Sequence, residues 1–484
     1  MNYRKIYSDL GSILIVESAL LALPTLVAFY YREGFRTICS FIATMAMLLV
    51  VGKLMKIKKP ETDTIYAREG FMLCAMSWVL MSAFGALPFV ISGAIPSYPD
   101  AFFETVSGFT TTGSTILTDI ESLPRSILFW RSFTHFIGGM GILVFVIAVL
   151  PKTRGSTIHV MRAEVPGPTV GKLVSRLGVT ARILYAIYFA ITFTLTMLLW
   201  AGGIPLFDSM CTAFGTAGTG GFALLNDSIG GYHSSYAEVV ISIFMLLFGL
   251  NFNLYYYLLK GHVKQVLKNN EFRWFIGVVV AAVSVITLQL TFTRHPFSES
   301  IRYAFFQVSS IVTTTGFSST DFELWPTLSK TVLFLLMFIG GCAGSTGGGL
   351  KVSRIIVCVK NGARTIRKAF NPRSVETIKM DGRPLDEDTV RSVTSYVTIY
   401  FMIIAVSIFF IAIDGKQLIP TITSVITCIN NVGPGYGGIG PTGNFSEFSV
   451  FSKMVLCFDM LAGRLELIPM FMIFSKYIIP RKYA

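Results

Sequence analysis

Long apolar runs, separated by short polar connections, fill most of this chain. A helix that crosses a lipid bilayer needs about 20 predominantly apolar residues, and ten runs approach or exceed that length. They lie near residues 10–31, 38–54, 70–95, 126–150, 183–203, 237–259, 274–293, 327–359, 392–413 and 449–474. The pattern predicts an all-α integral membrane protein.

A short apolar segment followed by a turn rich in Thr and Gly occurs at four places. The turns read Phe-Thr-Thr-Thr-Gly-Ser at 109–114, Thr-Ala-Gly-Thr-Gly-Gly-Phe at 216–222, Val-Thr-Thr-Thr-Gly-Phe at 312–317 and Asn-Asn-Val-Gly-Pro-Gly at 430–435. Aligning Gly113, Gly221, Gly316 and Gly433 gives an internal repeat of roughly a hundred residues, and such a period indicates the architecture of the whole chain.

The short segments, such as 100–109 and 301–310, cannot span a bilayer at the rise of an α-helix. We expect each to enter the membrane and return, with its turn buried in protein or lining water. Four such turns around one axis would form an ion selectivity filter of backbone carbonyls. Gly permits the required backbone, Thr adds a hydroxyl acceptor, and the negative ends of the helix dipoles favour a cation. One Thr-Thr-Thr-Gly alone would indicate a helix break or a packing motif, whereas four matching copies favour a pore.

The repeat divides the chain into five units. Residues 1–60 form a two-helix hairpin without a later copy, and repeats one to four cover 61–150, 151–260, 261–362 and 363–484. The predicted fold is therefore an N-terminal two-helix hairpin plus four helix/re-entrant pore loop/helix repeats with pseudo-fourfold symmetry around one pore.

Charge and composition refine this prediction. The chain has 484 residues, 53% hydrophobic and 14% charged, with a net charge of +13. Most Lys and Arg residues lie in alternate connections, the pattern of cytoplasmic loops, so we expect a cell membrane protein with both termini cytoplasmic and no nucleic-acid partner. The first apolar run is too long for a cleaved signal and lacks an Ala-x-Ala site, so a retained helix is expected. The seven Cys residues form no CxxC pair and predict neither a disulfide framework nor a zinc site.

A glycine-rich stretch interrupts the apolar run at 340–349. Six of its ten residues are Gly, and each costs about 1 kcal/mol relative to Ala inside a helix. A phosphate-binding GxxxxGK[ST] loop is excluded because Leu350 follows Gly349. Two interpretations remain from the residues, a close helix-packing surface and a flexible intramembrane segment.

Three polar residues fall inside apolar helices. Arg464 should face protein or water at membrane depth, and a structural ion pair with Glu466 or Asp459 is the simplest role for it. Arg131 and His135 are interpreted as structural.

Several motifs resemble the Trk/Ktr/HKT superfamily of potassium-uptake proteins. They are residues 109–114, Phe129-Trp130-Arg131, Gly138-Gly139-Met140-Gly141, residues 162–168, residues 340–349, residues 430–435 and Gly463-Arg464-Leu465-Glu466. The likeness covers essentially the whole chain. The extra N-terminal hairpin makes the chain more similar to the TrkH branch than to the shorter KtrB branch.

The resemblance implies a potassium-translocating subunit that forms a homodimer in membrane lipid. It also implies a separate cytoplasmic regulatory ring of the TrkA type, which responds to ATP, ADP or NAD. On this chain we expect no covalently bound cofactor, and potassium is the substrate.

The resemblance also assigns the site residues. The potassium filter is expected at Thr111, Thr112, Gly113, Thr219, Gly220, Gly221, Thr314, Thr315, Gly316, Asn431, Val432 and Gly433. The gate is expected at Ala343, Gly344, Ser345, Thr346, Gly347, Gly348, Gly349 and Arg464, with Arg464 holding the loop through its carbonyls. Gly113 favours potassium, because relatives that prefer sodium often carry Ser there. In repeat two the register could shift by one residue, which would place Gly220 at the filter position.

Two alternatives remain open for the function. One is a sodium-permeable member of the same superfamily, and the other is an ion-coupled secondary symporter driven by protons or sodium, which predicts a carboxylate near the membrane midplane. An enzyme is not indicated, because five isolated His residues and no nucleophile with a paired base give no catalytic constellation.

Two charged regions lie outside the membrane core. Acidic residues on or near the outer connections could concentrate cations. They are Asp100, Glu104, Asp119, Glu121, Asp227, Asp321 and Glu323. The basic segment 351–391 is expected to dock the ring protein or to bind anionic lipid head groups.

Overall fold

The computed structural model describes residues 2–58, 66–141, 177–293, 296–374, 376–465, 467 and 469–470. Within these ranges the chain is almost entirely helical, with one two-stranded β-hairpin. The motif predicted at 162–168, Glu466 and residues 471–484 lie outside the described residues. The predicted boundaries between the repeats stay predictions.

Six helices in the described part of the chain are long and apolar enough to cross a membrane. They are Tyr3–Tyr30, Phe35–Met55, Glu69–Ser92, Ala181–Ala201, Asn270–Phe292 and Glu387–Asp414. Each matches an apolar run of the sequence, which confirms a multi-span helical membrane protein.

The N-terminal hairpin consists of α1 (Tyr3–Leu20), α2 (Ala22–Tyr30) and α3 (Phe35–Met55). The helices α1 and α3 cross at two glycines, because a Cβ on Gly11 would lie 2.5 Å from the Gly52 carbonyl oxygen and the reverse distance is 2.8 Å. Small residues let membrane helices approach closely, as in GxxxG-type packing. The helices α4 (Ala67–Gly85) and α5 (Leu87–Ser92) follow.

Four short buried helices occupy the places predicted for the re-entrant segments. They are α6 (Tyr98–Phe109), α9 (Leu206–Gly218), α14 (Phe297–Val312) and α18 (Leu418–Asn430). Proline lies at or next to the start of the first three, at Pro99, Pro205 and Pro296, where its missing N–H costs nothing and its fixed φ suits a helix. Each of the four is a helix of 12–16 residues.

The longer helices surround these four. In chain order they are α7 (Arg125–Gly139), α8 (Leu177–Ala201), α10 (Ser235–Gly249), α11 (Phe252–Leu259), α12 (Val263–Lys268), α13 (Asn270–Phe292), α15 (Thr327–Leu336), α16 (Val352–Phe370), α17 (Glu387–Ile411) and α19 (Val450–Leu465). Three 3₁₀ turns lie at Ser228–Tyr232, Phe322–Leu324 and Ala412–Asp414. The strands β1 (Lys379–Met380) and β2 (Arg383–Pro384) form an antiparallel hairpin.

Two apolar runs are not the single spans that the sequence predicts. The run at 237–259 bends by 93° between α10 and α11, because Leu250 is extended and the Asn251 side chain caps the new helix by accepting from the Asn253 N–H at 2.9 Å. The run at 327–359 is divided into α15 and α16 by the glycine-rich segment. The runs at 126–150 and 449–474 are only partly within the described residues.

Candidate functional site

All four short helices end in the same turn. One or two residues after each helix, the backbone turns to a left-handed conformation, with φ of 56° at Thr111, 55° at Thr219, 59° at Thr314 and 54° at Asn431. In each turn this residue donates to the carbonyl three positions earlier, and the next N–H donates to the carbonyl five positions earlier. That bond pattern is a Schellman-type helix end, in which Gly usually takes the left-handed position. A residue with a side chain costs about 1–2 kcal/mol there, and such strain is typical of functional sites.

The glycine two residues further on is in contact with the next turn. Gly113, Gly221, Gly316 and Gly433 have φ of 83°, 75°, 84° and 97°. A Cβ on each would lie 2.0, 2.1, 2.1 and 2.8 Å from a carbonyl oxygen of the next turn. Those oxygens belong to Gly220, Thr315, Val432 and Thr112, in that order. Turn one therefore contacts turn two, turn two contacts turn three, turn three contacts turn four, and turn four contacts turn one.

This closed ring also gives the backbone register of repeat two. Thr219 has the left-handed conformation of Thr111, and Gly221 has the positive φ of Gly113. Gly220 lies between them, and its carbonyl oxygen faces Gly113 as the Thr315 carbonyl faces Gly221. In backbone geometry Gly221 is the counterpart of Gly113.

A cavity of about 110 Å³ opens on one side of the ring. All four ring glycines line it, together with residues that follow them in each turn, such as Thr115, Ala223 and Ser318. The lining is rich in backbone and hydroxyl oxygens, which are the ligands that hard cations prefer. In the described part of the chain, no group of three or more His, Cys, Asp or Glu side chains could hold a metal.

A buried ion pair supports this mouth of the ring. Arg131 Nε lies 2.6 Å from Glu104 Oε1, and the two side chains are 2% and 0% exposed. The Arg131 guanidinium also donates to the Ala223 carbonyl at 2.8 Å and lies 3.6 Å from the centre of the Phe222 ring. His135 contacts the Gly108 carbonyl through Nδ1 at 2.7 Å and accepts from the Phe222 N–H through Nε2 at 3.2 Å. Arg131 and His135 thus join repeat one to the segment after turn two, as expected of structural residues.

Two of the seven acids predicted near the connections form ion pairs with other described residues. Glu104 is buried, and besides Arg131 it accepts from the Thr115 hydroxyl and the Ile116 N–H, so it lies next to the connection that follows turn one but is not open to solvent. Asp100 forms an ion pair with Lys453 at 2.6 Å. Asp119 is exposed, and its hydrogen bond from Asn226 is the main cause of a lowered pKa for that carboxyl.

The glycine-rich loop, residues 340–351, lies against the opposite side of the ring. The Gly348 N–H donates to the Thr314 hydroxyl at 2.7 Å. A Cβ on Gly347 would lie 2.9 Å from the Thr313 carbonyl oxygen, and one on Gly348 would lie 2.6 Å from that of Asn430. The loop therefore touches turns three and four at the ends of their helices.

The loop folds back on itself and is tied to neighbouring helices. Gly340, Gly344 and Gly349 have positive φ, and a Cβ on Gly340 would lie 2.3 Å from the Gly348 carbonyl oxygen. The Cys342 N–H donates to the Gly249 carbonyl at 2.9 Å, and the Gly344 carbonyl accepts from the Phe252 N–H at 3.0 Å. The bend between α10 and α11 thus forms part of the seat of the loop.

Arg464 joins the loop to the end of α7. Its Nη1 donates to the Thr346 carbonyl at 2.5 Å, and its Nη2 donates to the Gly138 and Gly139 carbonyls at 2.6 Å each. The alternative partner Asp459 accepts from the Ser407 hydroxyl at 2.7 Å, and its second oxygen has no hydrogen-bond partner among the residues that the structure describes. The other alternative, Glu466, lies outside the described residues.

Asn431 has a second role that the sequence did not reveal. Its amide nitrogen donates to the Thr112 hydroxyl at 2.8 Å and to the Met460 carbonyl at 3.0 Å. The preceding Asn430 accepts from the Tyr400 hydroxyl at 2.8 Å. The sequence signal was the pair of amides in turn four, where turns one and three have two Thr residues and turn two has Gly218 and Thr219.

Comparisons with known proteins agree with one another. Residues 38–482 match the model of the TrkH family, described as a cation transport protein. Over 483 residues the chain is 37% identical to the Trk system potassium uptake protein TrkH of Salmonella typhimurium, covering 98% of this chain and 99% of that protein. Over 462 residues it is 32% identical to the Trk system potassium uptake protein TrkG of Escherichia coli, covering 94% of each.

A solved structure is also similar over its full length. The crystal structure of the potassium transporter TrkH from Vibrio parahaemolyticus superposes with a TM-score of 0.89 at 32% identity. The superposition covers 99% of this chain and 100% of that one.

Proposed function

The chain belongs to the TrkH family of cation transport proteins, and we propose that it takes up potassium ions across the cell membrane through the ring of four turns. One observation carries this proposal, the closed cycle of glycine-to-carbonyl contacts from turn one through turn four and back. A pseudo-fourfold arrangement of the repeats accounts for this cycle. Sequential turns of equal geometry place equivalent carbonyls around one axis, as a cation filter requires.

Selection of the ion would depend on the rigidity of this ring. Each ring glycine is packed so closely that no Cβ fits beside the next turn, so the turns cannot move inward independently. Backbone carbonyls would replace the hydration shell of the ion. The carboxyl ends of α6, α9, α14 and α18 lie at the ring, and their partial negative charges favour a cation over an anion.

The glycine-rich loop would be the gate. It lies against turns three and four, so it would obstruct the path on the side opposite the cavity. Arg464 would hold the closed position through the Thr346 carbonyl, and its positive charge would oppose resting cation occupancy. A cytoplasmic TrkA-type ring binding ATP, ADP or NAD would displace the loop, and two copies of the chain would pair as a homodimer. Both termini would be cytoplasmic.

A second function is favoured by a separate observation, buried carboxylates in the membrane helices. Within the described part of the chain, Asp459 has one oxygen without a hydrogen-bond partner, and Glu17 has two. Both side chains are fully buried. Such residues often mark proton or ion pathways, so an ion-coupled symport mechanism is the alternative. It predicts uptake that stops when the coupling gradient is removed, whereas a pore predicts uptake down the potassium gradient alone.

Flux into liposomes tests the proposal. We expect the protein alone to pass potassium and rubidium faster than sodium, without a proton gradient. Gly113→Ser should narrow that difference, because its Cβ would lie 2.0 Å from the Gly220 carbonyl oxygen and disturb the ring. Gly277→Ser is the matched control, since no atom of the described residues lies within 4 Å of a Cβ at that membrane glycine.

Each outcome separates the alternatives. Equal potassium and sodium rates in the native protein would identify the sodium-permeable alternative. Unchanged preference in a folded Gly113→Ser protein would refute the assignment of turn one to the filter.

A further inference from the structure

A single carboxylate oxygen holds both ends of the glycine-rich loop. Glu271, the second residue of α13, is 6% exposed. Its Oε1 accepts from the Ala343 N–H at 2.7 Å and from the Ser353 N–H at 3.1 Å. Ala343 lies in the first half of the loop, and Ser353 lies just after the loop, in the first turn of α16. Movement of Glu271 would therefore release both limbs of the loop together.

Lys351 completes this arrangement from inside the loop. Its Nζ donates to the Gly347 carbonyl, and its charge interacts with that of Glu271. Lys351 also has a φ of 51°, a left-handed conformation that a residue with a side chain keeps only where its surroundings hold it. The closed loop is thus maintained by a few polar contacts that meet near Glu271.

A cytoplasmic β-hairpin is attached next to that carboxylate. Asp381 Oδ1 accepts from the Asn270 N–H at 2.6 Å, and Asp381 Oδ2 accepts from the Asn269 side-chain amide at 3.0 Å. The first N–H groups of a helix have no partner within the helix, so the Asp381 carboxylate stabilises the start of α13. The bonded Asn270 directly precedes Glu271.

The hairpin is itself a compact, fixed unit. Asp381 and Gly382 both have positive φ, at 49° and 77°, which is the two-residue type I′ turn favoured by Asp-Gly. Met380 packs with a small apolar cluster that includes Ile378 and Val390. Lys379 and Arg383 are exposed but lie on opposite faces, since Arg383 pairs with Met380 and Lys379 with Pro384. Together with Asp381 they leave the hairpin with a net positive charge.

We propose that Glu271 is the positioning residue of the glycine-rich loop, and that Asp381 couples the β-hairpin at 379–384 to Glu271. A cytoplasmic partner with an acidic surface then moves the loop by displacing the hairpin. Only the effect on transport rests on the proposed function of the loop as a gate. The coupling between hairpin and loop is a separate claim about structure.

Alkylation of Cys342 measures the loop without measuring transport. Cys342 is 1% exposed and lies beside Ala343, whereas Cys211 and Cys428 are fully buried within the short helices α9 and α18 and are not part of the loop. The full-length protein in lipid vesicles would be treated with N-ethylmaleimide, and each cysteine would be followed by peptide mass spectrometry. The rate at Cys342 relative to Cys211 and Cys428 then reports opening of the loop alone.

The variants have an expected order. Glu271→Ala should raise the relative rate at Cys342 by about tenfold, because two buried hydrogen bonds to a charged group are lost. Glu271→Gln keeps a carbonyl acceptor and should stay within about twofold of the native rate. Asp381→Ala should raise the rate by about threefold, and it should add nothing in the Glu271→Ala background, because residues acting through one another are non-additive.

Asp386→Ala is the matched control for the hairpin variant. Asp386 is an exposed cytoplasmic acid at the start of the neighbouring helix α17, and its loss should leave the Cys342 rate unchanged. A native rate in Asp381→Ala, or an effect that adds fully to that of Glu271→Ala, would overturn the coupling. If Glu271→Ala also accelerated alkylation of Cys211 and Cys428, that variant would be misfolded. The Asp381→Ala variant, changed at an exposed position, would then decide whether the hairpin and the loop are coupled.

Potassium flux in the same variants separates this proposal from the gate itself. Faster alkylation together with faster flux supports both. Faster alkylation with unchanged flux supports the positioning roles of Glu271 and Asp381 and contradicts the gate.

Discussion

Alanine substitution at two ring glycines should have effects of different size. In Gly316→Ala the new Cβ would lie 2.1 Å from the Val432 carbonyl oxygen and 2.9 Å from Pro434 Cδ, at a φ of +84°. The carbonyl must retreat by roughly 1 Å to reach an ordinary contact. In Gly433→Ala the nearest atom is the Thr112 carbonyl oxygen at 2.8 Å, so a few tenths of an ångström suffice.

The magnitudes follow from these distances. A 1 Å misplacement of binding groups can reduce rates about 100-fold, so we expect that loss of potassium flux for Gly316→Ala. For Gly433→Ala we expect potassium flux to fall only about tenfold. The main cost there is the left-handed backbone, about 1–2 kcal/mol. The assay is radioactive rubidium uptake into proteoliposomes, with thermal unfolding to confirm folding and Gly277→Ala as control. Equal losses in both variants, or native uptake in Gly316→Ala, would refute the ring geometry as the filter.

Four further predictions concern the loop, turn four and the buried acid. Arg464→Ala should raise basal flux about tenfold, because charge-assisted hydrogen bonds to the loop are lost; a fall in flux would contradict this. Removing residues 343–348 should raise flux and weaken dependence on the cytoplasmic partner, and unchanged flux in a folded deletion would exclude a gate. Asn431→Thr should lower the unfolding free energy by about 1–2 kcal/mol through loss of the amide bridge, measured by thermal unfolding, with native stability as the opposing result. Asp459→Asn should leave uptake intact at all pH values if transport is passive, whereas abolished uptake would favour proton coupling.

The sequence predicted the parts of the site that depend on local pattern. The length of the apolar segments and the repeated Thr/Gly turns located all four short helices, because a segment shorter than a bilayer must end inside it. The clustered glycines likewise predicted a break near residue 340, since Gly weakens helices. The register of repeat two could not be decided, because Gly220 and Gly221 are equivalent in composition and differ only in backbone conformation.

Other features depend on tertiary contacts or on local signals that were overlooked. The Glu104–Arg131 pair joins separate parts of repeat one, and no spacing rule connects two such charges. The bend at Asn251 rests on a capping amide inside a continuous apolar run. The hairpin at Asp381, in contrast, had a recognisable Asp-Gly turn signal between two short extended segments.

The location of bound ions tests the ring most directly. Crystals of the protein grown in rubidium should show anomalous density on the axis enclosed by the four turns, next to the carbonyls of Thr112, Gly220, Thr315 and Val432. Density beside Asp459 or Glu17, with none on that axis, would contradict permeation through the ring.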